Sequence, residues 1–277
     1  MFKWYGLVGL LLLLFVHVNY VLVIQPFARW YFLIVWVGYI LLVDAIIYQL
    51  HHSSLLMNRP KTLVGIAIAS VAIWWLFELI NLRVANWGYH GEVGLAAVGS
   101  VAYKTIMFAT MLPAFFETVE LFRALHVFDD KKLKKKHKIT KKGLHAMMAG
   151  GLLCLILPLV WPSVFFPLVW LTFFLLLDPI NFLNKEPSII QHWRDRRLAI
   201  PLVLVCTGLA LGFLWEFWNY WAPPATKWFY NIPYLSFFKI FEMPILGYLG
   251  YVFFAFELYA MYFFFRSLFK HREKLLT

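Results

Sequence analysis

Two glutamates placed late in long apolar runs are the first candidates for chemistry. Each follows an aromatic residue and stands three positions before an asparagine: Phe77-Glu78-Leu79-Ile80-Asn81 and Trp215-Glu216-Phe217-Trp218-Asn219. On a helix that spacing puts Glu and Asn on one face, so Asn81 and Asn219 are expected to orient the carboxyl, contact a ligand, or meet each other. With Trp74, Trp75, Phe77, Trp215, Phe217 and Trp218 close by in sequence, each acid has the setting of a proton donor. The competing expectation is that the pairs are polar contacts that hold helices together. A W-x-Y follows each, Trp87-Gly88-Tyr89 and Trp228-Phe229-Tyr230, and the rings of Trp87, Tyr89, Trp228 and Tyr230 are expected to wall the site.

Further acids lie in apolar surroundings. Glu117 and Glu257 follow Tyr89 and Tyr230 by 28 and 27 residues and complete the expected acid/base set with Glu78 and Glu216. Pro113, four residues before Glu117, removes a backbone N–H and can open the helix there. Glu120 shares a face with Glu117, and Glu242 precedes Pro244; neither has a mate elsewhere, which makes both candidate substrate contacts in an asymmetric centre. Asp44 and Asp178 are buried in similar runs. An aspartate at mid-bilayer costs about 2.5–3.5 kcal/mol, so such groups must face protein or a polar cavity. Near helix C-termini these two aspartates oppose the helix dipole, which predicts a basic partner: Arg59 for one, and Arg194, Arg196 or Arg197 for the other.

The composition says what positions these groups. Apolar residues make up 62% of the 277 and charged residues 14%, against about 45–50% and about 25% in soluble domains. Runs near the roughly 20 residues that cross a bilayer occur at 6–24, 31–50, 62–82, 104–125, 145–160, 163–183, 199–218 and 243–267. The first, with Lys3 before it and no small-residue cleavage site after it, reads as a retained helix. Cys154 and Cys206 fall within spans and read as packing residues.

The +11 charge does not point to nucleic acid, because it sits on one side of the alternating loops. That side has Arg59, Lys61, the lysine run from Lys131 to Lys142, Lys185, Arg194, Arg196, Arg197, and the tail Lys270, Arg272 and Lys274. The other has Arg29, Arg83, Lys104, Lys227 and Lys239. This bias places both termini in the cytoplasm. The connections on the opposite side, about 83–103 and 220–242, are rich in aromatics and read as an interfacial belt or a re-entrant lid.

Spacing also points to duplication. Trp36 precedes Asp44, and Trp170 precedes Asp178, by eight residues; Ser54 and Ser188 follow those aspartates by ten. The fold class expected is an all-α polytopic membrane protein, with about eight transmembrane helices as two parallel four-helix repeats. The units are 1–125 and 145–277, joined by a Lys-rich cytoplasmic linker, 126–144.

Glu78, Trp87, Tyr89, Pro113 and Glu117, and again Glu216, Trp228, Tyr230 and Glu257, give the chain a likeness to a known family. Their order resembles that of the membrane-embedded lycopene cyclases of the heterodimeric and fused type. The resemblance implies protonation of a long polyene, carbocation intermediates and no metal. The sequence departs from that family in having Glu117 and Glu120 three apart where adjacent acids are usual, Phe253 in the place of Pro113, and four spans per unit instead of three.

The function expected is acid/base chemistry (protonation, cyclisation, isomerisation or hydration) on an isoprenoid or other membrane lipid. The alternatives are a proton-coupled transporter and a non-catalytic subunit of a membrane complex. No nucleic acid is expected as a partner; a membrane-protein partner or a homo-oligomer is compatible with the sequence. No cofactor or metal is expected: His51 and His52 are adjacent and so not on one helix face, and the chain has neither a Glu-x-x-His pattern, a P-loop nor a nucleophile elbow.

Overall fold

The computed structural model of the chain describes residues 2–90, 97–135, 138–234 and 236–269. The tail cations Lys270, Arg272 and Lys274, with His137 and His271, lie outside the described residues. Among the described residues, eight helical spans are long and apolar enough to cross a membrane: Trp4–Leu22, Tyr31–His51, Pro60–Val84, Ser100–Ala124, Lys141–Val160, Pro162–Leu183, Ala199–Trp221 and Ile245–Leu268. By that measure the protein is a helical, multi-pass membrane protein.

In chain order the helices are α1 (Trp4–Leu22), α2 (Tyr31–His51), α3 (Leu55–Asn58), α4 (Pro60–Val84), α5 (Ala97–Phe108), α6 (Met111–Ala124) and α7 (Lys141–Val160). There follow α8 (Pro162–Phe165), α9 (Val169–Leu183), α10 (Ile189–Arg194), α11 (Ala199–Trp221) and α12 (Tyr248–Leu268). Short strands β1 (Trp87–Tyr89), β2 (Trp228–Tyr230), β3 (Lys239–Ile240) and β4 (Met243–Pro244) lie between them.

The packing has a common pattern. Helix α1 lies on α2 and α7 on α9; α6 packs against α2 and α4, and α12 against α9 and α11. Helix α6 also meets α11, and α12 meets α4. Phe77, Phe115, Phe116, Tyr259 and Phe263 are fully buried where these helices meet. Two close approaches depend on glycine. A Cβ on Gly9 would lie 2.6 Å from the Gly38 carbonyl oxygen, so α1 and α2 touch backbone to backbone. Gly208 and Gly212 of α11 leave room for Tyr251 of α12, as small residues four apart commonly do in membrane helices.

The span holding Pro113 breaks at Ala109-Thr110, between α5 and α6. Ser70 of α4 fills the break: its hydroxyl donates to the Phe108 carbonyl (2.5 Å) and accepts from the Leu112 N–H (2.9 Å). The two backbone groups that would have bonded each other thus remain satisfied.

Two expectations are corrected here. Among the described residues, Asp44 and Asp178 do not pair with arginine. Asp44 accepts from the Tyr5 hydroxyl (2.6 Å), the Ser54 hydroxyl (2.8 Å) and the Leu56 N–H (2.7 Å). Asp178 accepts from the Ile189 and Ile190 N–H groups (2.8 and 2.9 Å). Each carboxylate serves free N–H groups at the start of a short helix, α3 or α10, whose N-caps are Ser54 and Ser188. Arg59 instead meets Glu120 (3.3 Å), and Arg194 meets Asp195 (2.8 Å). The fifth span begins at Lys141, capped by Thr140, so the last four residues of the 126–144 stretch are helical. The stretch also bonds to the chain before α11: the Leu133 N–H donates to the Arg196 carbonyl and the Leu198 N–H to the Lys131 carbonyl, both at 3.0 Å.

Candidate functional site

The W-x-Y motifs meet. Strands β1 and β2 form an antiparallel pair in which Trp87 faces Tyr230, Gly88 faces Phe229 and Tyr89 faces Trp228. The Phe229 ring lies where a side chain on Gly88 would be, so the middle positions of the two motifs differ for steric reasons. Asn86 and Asn231 extend the pairing, Asn231 N–H to Asn86 carbonyl (2.7 Å) and Asn86 Nδ2 to Asn231 carbonyl (3.0 Å).

Asn81 and Asn219 hold these strands, and among the described residues their amides hydrogen-bond to backbone and not to the glutamates or to each other. Asn219 Oδ1 accepts from the Trp228 N–H (2.9 Å) while its Nδ2 donates to the Trp228 carbonyl (3.0 Å). Asn81 does the same for Trp87, accepting at 3.3 Å and donating at 2.8 Å, and also accepts from the Asn86 N–H (2.8 Å). Both side-chain amides are thus engaged with the backbone of the chain that follows, not with the carboxyl a turn earlier.

The glutamates, a helical turn earlier, receive the side chains of those strands. Glu78 Oε1 accepts from Trp87 Nε1 (2.9 Å) and the Tyr89 hydroxyl (2.8 Å), and its Oε2 lies 3.7 Å from Lys104 Nζ. Glu216 Oε1 accepts from the Tyr230 hydroxyl (2.6 Å) and from the Tyr251 hydroxyl. Trp228 Nε1 donates to the Tyr230 hydroxyl (2.7 Å) and so reaches Glu216 at one remove. Glu216 is fully buried and its Oε2 has no hydrogen-bond partner among the described residues. Burial first, then the neighbouring carboxylates Glu78 and Glu216, push the Tyr89 and Tyr230 hydroxyls well above their ordinary pKa, so both keep their protons at neutral pH.

In front of the two clusters lies a cavity of about 1000 Å³, between the starts of α2, α9 and α12, the first half of the span Ser100–Ala124, and the ends of α4 and α11. Trp36, Trp74, Trp87, Trp170, Trp215 and Trp228 line it, as do Tyr89, Tyr230 and Tyr251. Glu78 and Glu216 stand one layer behind, reached through the tyrosines. The wall rings pack on one another and on rings behind them: ring centres lie 5.7 Å apart for Trp36 and Trp215, 4.7 Å for Trp36 and Trp218, and 5.7 Å for Trp170 with both Phe77 and Trp87.

The other proposed acids lie elsewhere. Glu117 and Glu257 are fully buried and do not line the cavity. Glu257 accepts from the Phe173 N–H (2.7 Å), and neither oxygen of Glu117 has a hydrogen-bond partner among the described residues. Glu120 is paired with Arg59 (3.3 Å) and stands 3.9 Å from Arg123. Glu242 sits in the turn between β3 and β4 and is half-buried.

Sequence reasoning missed Tyr251 and Lys104. Tyr251 had a signal in Gly208-x-x-x-Gly212-x-x-x-Glu216, a small-residue face that ends on the acid it serves. Lys104 had one in being a lone cation at the start of an apolar span. Comparison with protein-family models, with curated proteins and with solved structures finds no match to the chain.

Proposed function

We propose that the protein is an integral membrane enzyme that uses acid/base chemistry on an isoprenoid or other lipid held in the tryptophan-lined cavity. The observation that carries this reading is the double cluster in which a glutamate, fully buried in the case of Glu216, is linked through tyrosine hydroxyls to one cavity wall. Glu216 serves as the proton store, and Tyr230 and Tyr251 pass its proton to a substrate double bond. The resulting cation is held by the faces of Trp36, Trp170 and Trp215, each desolvated contact contributing about 2 kcal/mol. Return of a proton to the Glu78–Tyr89 side completes a cyclisation or isomerisation, and addition of water completes a hydration. This is the type of chemistry implied by the likeness to the membrane-embedded lycopene cyclases.

The same reading takes the chain as two parallel four-helix repeats, 1–125 and 145–277, with both termini cytoplasmic and the cavity toward the opposite face. The support is pairwise. Asp44 and Asp178 each hold a short helix start, Asn81 and Asn219 each hold a tryptophan backbone, and Trp36 and Trp170 each contact the other unit. The antiparallel meeting of the W-x-Y strands suits a two-fold axis along the membrane normal.

The experiment is mass spectrometry of the organic extract from protein purified in mild detergent, beside the double variant Glu78→Gln, Glu216→Gln. A lipid altered by the wild type and unaltered by the variant supports the enzyme. Proton flux in liposomes without lipid conversion would assign the protein to transport, and an obligate co-purifying protein would assign it to a complex.

A further inference from the structure

A second pair of acids lies away from the cavity and takes no part in the proton chemistry above. Asp44 of α2 and Glu117 of α6 are both fully buried. They sit where those helices pack, a contact also marked by the Tyr39–Thr118 hydrogen bond (2.8 Å). Asp44 is filled with donors: the Tyr5 and Ser54 hydroxyls on Oδ1 and the Leu56 N–H on Oδ2. Neither oxygen of Glu117 meets a donor among the described residues, yet the Asp44 carboxyl lies within hydrogen-bonding reach of it. The ionisable groups that face Glu117 are Asp44 and Tyr39 of α2, Tyr5 of α1, Glu120 of α6, and Arg59 between α3 and α4. Glu257, the mate of Glu117, accepts the Phe173 N–H (2.7 Å) instead.

Two ionised carboxyls can only accept, so they make no hydrogen bond with each other; one proton between them creates a short, charge-assisted one. A buried carboxylate with no donor is costly, and a proton on Glu117 removes both the charge and the missing partner. We infer that Asp44 and Glu117 form a proton-binding site separate from the cavity, which holds one proton between the two carboxyls and exchanges it with water through Glu120. Glu117 brings the proton and Asp44, with three donors already on it, accepts. Glu120 stands one helical turn beyond Glu117, 3.3 Å from Arg59 and 3.9 Å from Arg123. Those two side chains are 26% and 33% exposed, so this cluster is the side of the pair that water reaches. The inference goes beyond the proposed function and does not rest on it.

The test is infrared difference spectroscopy of the full chain in lipid nanodiscs at neutral pH, reading the C=O stretch of protonated carboxyls in H₂O and in D₂O. Glu117→Gln should remove the band of one carboxylic acid, whereas Glu257→Gln, which alters another buried acid, should leave that band in place. Asp44→Asn should keep the band and move it to higher wavenumber, because an amide oxygen is a weaker acceptor than a carboxylate. Tyr5→Phe, which takes one donor off Asp44 and leaves the Leu56 N–H on it, should move the band the other way and gives a reading even if Asp44→Asn fails to fold. Transfer of the wild type to D₂O should shift the band downward, and Glu120→Gln should slow that exchange. A carboxylic-acid region unchanged by Glu117→Gln would overturn the inference. So would a Glu117 band that neither Asp44→Asn nor Tyr5→Phe moves, or one whose exchange into D₂O is absent or is as fast in Glu120→Gln as in the wild type.

Discussion

Trp87 and Tyr230 stand opposite each other in a two-stranded ribbon, though each follows a different Glu-x-x-Asn helix. Through this pairing the side chains of one ribbon reach two acids: Trp87 and Tyr89 bond Glu78, and Tyr230 bonds Glu216. The ribbon is therefore the part that connects the helical scaffold to the cavity.

Asn219→Ala should loosen that ribbon. It leaves the Trp228 N–H and carbonyl without their partner, at a cost of about 1–3 kcal/mol for each buried group left unpaired. The expected outcome is a lower Tm in detergent and a red-shifted tryptophan emission. An unchanged Tm would mean that the strand is held by other contacts.

Tyr251→Phe keeps the ring against Gly212 and removes only the hydroxyl that meets Glu216. Turnover should fall about 10²-fold or more, as for loss of a proton-transfer group, with a Tm close to wild type. Gly212→Leu should lower both, since the new side chain would collide with the Tyr251 ring. Full turnover in Tyr251→Phe would leave Tyr230 as the sole carrier of the proton.

Asp178→Ala exposes the cost of the short helix start. The Ile189 and Ile190 N–H groups lose their acceptor, and about 1–3 kcal/mol of stability for each is expected to go with it. Thermal unfolding, with hydrogen exchange at those two amides, would detect the loss; exchange as slow as in the wild type would show that Ser188 alone holds the helix start.

His192, in α10 outside the spans, gives a pH dependence. Burial first, then Arg197, lower its pKa from 6.5 to about 4. The folded state thus favours the neutral ring. Its contribution is fully present above about pH 6.5 and is lost as pH falls toward 4, where the unfolded chain binds a proton that the folded one does not. Amide exchange in α10, corrected for intrinsic rates, should speed up between pH 7 and 5, and His192→Phe should abolish the change. A flat profile in the wild type would contradict a partly buried, neutral imidazole.

The spans were legible because uninterrupted apolar length is a local property of the sequence. Pro113 likewise announced the break before α6, since a missing N–H is local too. Ser70, which fills that break from another helix, was not legible, because its partners are distant in sequence. The aspartates were assigned to arginines because α3 and α10 are too short to show periodicity. Their capping serines, ten residues after each aspartate, were the available sign. The asparagines shared a helix face with the glutamates, as the spacing required, but their amides turned to the chain that follows, which a helical wheel does not include.

The central claim is that a proton passes from Glu216 through Tyr230 or Tyr251 to a carbon of a bound lipid. The most direct measurement is incubation of the reconstituted protein with membrane lipid extract in D₂O, followed by mass spectrometry for deuterium held on carbon. The account predicts a lipid with non-exchangeable deuterium in the wild type, absent in Glu216→Gln. Proton movement across the membrane with no deuterium on carbon in any recovered lipid would contradict it.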